Sequence, residues 1–168
     1  MDNVNGEIKS KEHLLVFFMF SVVAQIIAYQ VHELGHYFVG MILGIDQRFV
    51  LTGVMHEELT DMEQVFHSSG GPVVTLVLAI ISLILLIRSK ESKLYFLSFA
   101  YANALLRIQP IADSLLNRSM QYQDEYKIAE SLGMSGQLLC IISLLIFLSI
   151  FAVSVYYSGK KKILKIII

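Results

Sequence analysis

The sequence predicts an all-α, polytopic membrane protein of about four transmembrane helices, with a short amphipathic helix before the last. Three observations carry that prediction. Of 168 residues, 55% are hydrophobic and only 16% charged, with a mean hydropathy of +0.64. A soluble domain usually carries about 25% charged residues, so the solvent is a bilayer. Apolar runs approach the roughly 20 residues a membrane helix needs. Polar segments of unequal length separate them.

The first run spans about Leu14 to Ile45 and exceeds one hydrocarbon thickness, so it must tilt or project. Lys9 and Lys11 precede it as in a signal peptide. The run outlasts the roughly 7–15 residues of a signal core, and no small-residue cleavage site follows, so a retained anchor is expected. The second run is Gly70 to Ile87, with Pro72 suited to a first helical turn, where no backbone N–H is needed. The third, Leu94 to Pro110, is the least apolar, and the fourth is Leu138 to Tyr157. The short "RSKESK", Arg88 to Lys93, makes runs two and three an antiparallel hairpin. Asp46–Ser69 and Ile111–Gln137 read as long polar connections. Within the latter, Asp124 to Met134 has the pattern of a short amphipathic helix ending near Gly133. No repeat or low-complexity segment interrupts residues 1–168, which read as one membrane domain.

Four crossings put both termini and "RSKESK" on one side, with nine basic residues against four on the other. Basic loops tend to stay cytoplasmic, so the expected protein is multi-pass with cytoplasmic termini. "SGKKK", Ser158 to Lys162, is then a basic stop at that face. A net charge of −1 leaves no basic surplus for nucleic acid. The one cysteine, Cys140, has no internal disulfide partner and sits in an apolar run as a small hydrophobe. Nothing in the sequence fixes an oligomeric state.

The chemistry concentrates in "QVHELGHYFVG", residues 30–40. His32 and His36 lie four apart, about 40° from each other on a helix and one turn above the other. Two imidazoles so placed can share one Zn²⁺. Glu33 projects beside them, placed as a general base toward water at the metal. Gly35, on the other flank, leaves room for another helix or a substrate backbone. A lone histidine in a membrane helix is most simply a hydrogen-bonded packing residue. Two at ligand spacing with a carboxylate between them, where each ionisable group is costly, point to a metal.

"HELGH" in the first run, "SGGP" opening the second and "NALLRIQP" closing the third resemble the site-2 protease class of membrane-embedded zinc metalloproteases. The resemblance covers roughly residues 14–135. It implies a Zn²⁺ held by His32, His36 and an aspartate, with Glu33 as catalytic base. It implies peptide-bond hydrolysis in membrane-associated or transmembrane protein substrates. Six residues separate Asn103 from Pro110 where the family has two, and no Asp-Gly pair follows. The resemblance favours Asp124, ahead of the amphipathic helix, as the third ligand, with Asp113 as the alternative. Either could instead be a solvated carboxylate, or in the case of Asp124 a helix cap.

The resemblance implies substrate contacts from Gly70 and Gly71, in a flexible "SSGG" approach to Pro72 that could equally be an ordinary loop ahead of a helix, and Asn103 and Arg107 in the third run are further candidates. Arg107 could also snorkel to the interface, pair with a carboxylate of the site, or stabilise an oxyanion. Asn103 could simply pack. His56 and His67 add imidazoles to the first polar connection, but three protein ligands already suffice for a catalytic zinc. Gly40 and Gly44 form a G-x-x-x-G that marks either a close helix contact or a helix end. The alternative to an enzyme is an inactive membrane scaffold or binding protein of the same fold. A di-iron oxidoreductase needs more ligands than five histidines supply.

Overall fold

A computed structural model describes residues 2–89, 93–117 and 123–160. Among the described residues the chain is helical apart from one β-hairpin. Its elements are α1 (Asp2–Leu43), β1 (Gln47–Val50), β2 (Gly53–His56), α2 (Asp61–Arg88), α3 (Lys93–Asn117), α4 (Asp124–Ser131) and α5 (Gly136–Lys160). Among the described residues, three helical stretches are long and apolar enough to cross a membrane: Leu14–Leu43, Asp61–Arg88 and Gly136–Ser158. This makes the chain a membrane protein. Four such helices were expected; α3 does not qualify, because Arg107 and Asp113 interrupt its apolar sequence.

The 42 residues of α1 give it a length of about 63 Å. Most side chains from Leu14 to Ile27 are exposed, as suits a helix wetted by lipid. Gly44 ends the helix at φ +72°. There the Gly44 N–H donates to Met41 O and the Ile45 N–H to Gly40 O, a Schellman closure. Of the two meanings of G-x-x-x-G, Gly44 thus marks termination. Gly40 lies under the side chain of Gln47.

Residues 47–56, expected as polar connection, form an antiparallel hairpin pairing Gln47 with His56 and Val50 with Gly53. It lies back on α1, where Tyr29 Oη donates to Thr52 O at 2.8 Å and Gln30 Nε2 to Leu51 O at 3.1 Å.

The second run also differs from expectation. Its helix begins at Asp61, nine residues before Gly70, under a capping box in which Thr60 and Glu63 satisfy each other's backbone N–H groups. The "SSGG" segment is therefore helical, and Pro72 lies inside the helix. Likewise α3 passes through Pro110 and ends at Asn117. An interior proline removes one backbone hydrogen bond, which neighbouring helices can offset in a membrane bundle.

Small residues set the packing, as expected where lipid competes equally for apolar side chains. Ala24 and Ala28 of α1 meet Ala102 of α3, and Ala79 of α2 meets Phe147 and Ile150 of α5. A close backbone approach joins α1 to α2. A Cβ on Gly35 would stand 2.5 Å from the Gly70 carbonyl oxygen. The expected amphipathic helix is α4, closed by Gly133 at φ +65° with Met134 N–H donating to Ala129 O. It packs against α2 and α5.

Candidate metal centre

The Gly35–Gly70 contact brings two four-residue stripes face to face. His32 and His36 on α1 oppose His67, Gly71 and Thr75 on α2. A Cβ on Gly71 would lie 2.6 Å from His32 Nε2, so only glycine lets α2 pass between the imidazoles. The helix backing of both rings follows from this register.

Each ring has its tautomer fixed from behind. Thr75 Oγ1 spends its hydrogen on Gly71 O at 2.9 Å, so it accepts from His32 Nδ1–H at 2.8 Å. His36 Nδ1–H donates to the His67 carbonyl at 2.7 Å. Both Nε2 atoms are then left with lone pairs, and they face each other at 3.2 Å. Asp124 Oδ2 closes the triangle, 3.3 Å from His32 Nε2 and 3.6 Å from His36 Nε2. Three acceptors with no proton among them repel unless positive charge lies between or beside them.

A divalent ion meets that need. Ligands at the ~2.0–2.1 Å usual for zinc stand about 3.3–3.4 Å apart in a tetrahedron, close to the observed 3.2, 3.3 and 3.6 Å. Hydrogen bonds behind both imidazoles are the orienting partners that metal-binding histidines require. Among the described residues, His32, His36 and Asp124 are the group of His, Cys, Asp and Glu whose donor atoms converge closely enough for a metal. Asp113 is on the exposed side of α3, outside that group.

Arg107 is buried and reaches the triangle from α3. Its Nη1 donates to Asp124 Oδ2 at 3.1 Å and lies 3.4 Å from His32 Nε2, while Nη2 donates to Glu125. Of its sequence readings, pairing with carboxylates is the one realised; the side chain does not snorkel. Glu125 is itself buried and accepts from Ser143 Oγ on α5 at 2.8 Å. Burial opposes charge on Asp124, but the Arg107 guanidinium beside it prevails. It holds the carboxyl well below the usual carboxylate range.

In front of the triangle lies a cavity of about 430 Å³, lined by residues of α1, β2, α2, α3 and α4. Glu33 stands on its wall beside the imidazoles. Its Oε2 faces Gly53 of the hairpin, where an added Cβ would approach to 3.4 Å. Arg107, His56, His67 and Lys127 also line it. The other expected substrate contacts lie elsewhere. Gly70 and Gly71 are covered by α1, and Asn103 donates to Phe99 O within α3 at 2.8 Å. Their close packing leaves them off the cavity wall.

Sequence reasoning missed the hairpin, the Thr75 and His67 supports, and Glu125. The Thr60–Glu63 capping box would have moved the start of α2 ahead of His67 and revealed the His67–Gly71–Thr75 stripe. Glu125 carried no local signal.

No family model, curated protein or solved structure matches this chain.

Proposed function

We propose that the chain is a membrane-embedded zinc metallopeptidase of the site-2 protease kind, hydrolysing peptide bonds of membrane-associated or transmembrane proteins. The carrying observation is the triangle of His32, His36 and Asp124, whose lone pairs converge at tetrahedral edge lengths. These three residues would hold the ion. A zinc there would lower the pKa of water toward ~7 and polarise a carbonyl.

The remaining work falls to the chain. Glu33 takes a proton from the attacking water and returns it to the leaving amine, from a wall of the cavity that water can reach. Thr75 and the His67 carbonyl keep each imidazole in the tautomer that binds. Arg107 and Glu125 hold Asp124 in place. A helical substrate hides its carbonyls in internal hydrogen bonds and must unwind to be cut. With "SSGG" helical, the extended backbone at the cavity is β2, whose Gly53, Val54 and His56 stand on its wall. An unwound substrate would lie along this strand.

We further propose α3 as a fourth crossing, its polar residues shielded by the other helices, with cytoplasmic termini as the basic residues favour. Reporter fusions at residues 90 and 120 should then fall on opposite sides of the membrane.

A second reading is a scaffold without metal, and Arg107 is what favours it. Its guanidinium already contacts Asp124 Oδ2 and His32 Nε2 and could neutralise the triangle alone. Glu33→Gln separates the two. The enzyme reading expects a protein that keeps its metal and loses cleavage of a membrane peptide. Metal-free protein whose biological activity survives this change would favour the scaffold.

A further inference from the structure

Arg107 and Lys127 both line the cavity in front of the triangle, but they are placed differently. Arg107 is buried and committed, with Asp124 and Glu125 as its partners. Lys127 is half-buried on the α4 wall and makes no ion pair with any described residue. Its neighbour Asp124, three residues back and on the same side of the helix, is already spent on Arg107 and the histidines. The Lys127 charge is close enough to act on the His67 ring of α2, which sets the ammonium toward the metal centre. A charge drawn from bulk water without a partner is unfavourable. An anion from outside the chain would complete this wall.

We propose that Lys127 determines specificity, its ammonium pairing with the side-chain carboxylate of an Asp or Glu next to the peptide bond that is cut. This rests on the metallopeptidase reading and names part of its substrate class. Three residues of helix separate Lys127 from Asp124, a rise of about 4.5 Å. An extended peptide advances about 3.3 Å per residue. A carboxylate one or two residues from the bond held at the metal therefore comes within reach of the flexible lysine stem, whereas a remote one does not. A neutral side chain at that place leaves the ammonium unpaired, and a cationic one is repelled. Glu33, the imidazoles and Arg107 act on any peptide alike, so the discrimination comes from Lys127.

The test uses short apolar peptides, blocked at both ends and fluorescently labelled, identical except for one Asp or Asn moved through each position. Binding to the zinc-treated full chain in neutral detergent micelles is read by fluorescence anisotropy, and cleavage by chromatography. At one or two adjoining positions Asp should bind about five- to tenfold more tightly than Asn. Lys127→Ala should erase that preference while binding the Asn peptides as before. Lys127→Arg should keep it, and Lys127→Glu should turn it toward a peptide with Lys at that position. No preference in the unaltered chain, or one that survives Lys127→Ala and Lys127→Glu, overturns the proposal. Cleavage of the Asn peptides would then still uphold the metallopeptidase reading. Equal loss of Asp and Asn peptides in Lys127→Ala also overturns it, by making the lysine a support of the fold. So does a preference that disappears on adding phosphatidylglycerol, because a lipid headgroup then takes the lysine. A Lys127-dependent preference without cleavage of any peptide upholds the pairing and overturns the metallopeptidase reading instead.

Discussion

The two halves of the centre are built by different physics. The histidine half is helix register: four-residue spacing on α1, four-residue spacing on α2, and glycines that let the backbones touch. The aspartate half is a network of charge. Asp124 sits at the first turn of an eight-residue helix, and Arg107, Glu125 and Ser143 tie it to α3 and α5. The first half is rigid because its contacts are close. The second depends on pairs that must all be present, since a buried charge without its partner is strongly unfavourable. One half should therefore fail by steric strain and the other by unpaired charge.

The largest expected effect strikes the charge network. Glu125→Ala leaves the Arg107 guanidinium with Asp124 alone and Ser143 without its acceptor. It should cost about 3–5 kcal/mol, read as loss of the folded fraction in a detergent denaturation series. Glu125→Gln, which keeps a hydrogen-bond acceptor, should lose less. On the histidine side, Gly35→Ala drives a methyl into the Gly70 carbonyl and should cost about 1–3 kcal/mol by overpacking. If Gly35→Ala proves more damaging than Glu125→Ala, the two halves have been ranked the wrong way round.

Thr75→Val tests the histidine half more gently. It preserves shape but removes the acceptor behind His32, and metal affinity should fall about 10–100-fold, measured by competition with a chelator. Unchanged affinity would mean that the ring needs no such support.

Acid sharpens the contrast further. Asp124 has its folded pKa depressed, so what its charge contributes is present above the unfolded value of about 3.9 and lost only as pH falls through the folded one. Between pH 7 and 5 the aspartate half should not change. Imidazoles must be neutral to bind a metal, so metal released over that range reports the histidine half. Release confined to pH below about 4 would assign control to Asp124 instead.

The same division explains what the sequence could convey. His32, Glu33 and His36 were legible because a helix turns their spacing into proximity with no help from the rest of the chain. The Asp124–Met134 segment was legible as a helix for the same reason. Choosing Asp124 over Asp113 was not possible locally, since which one meets the histidines depends on how α4 folds back against α2 and α5. Pro72 misled because a first-turn proline is the cheapest kind in water, whereas a packed bundle tolerates an interior one. The hairpin was hidden by its length: four residues per strand and a turn at Leu51–Thr52 without the usual Asn-Gly signal. Its position depends on Tyr29 and Gln30 of α1, more than twenty residues away in the chain.

Metal analysis of the purified full chain tests the central claim most directly, with Asp124→Ala and Asp113→Ala prepared alongside. The account predicts about one zinc per chain, retained in Asp113→Ala and lost in Asp124→Ala. Zinc absent from the unaltered chain, or equally abundant in all three proteins, would contradict it.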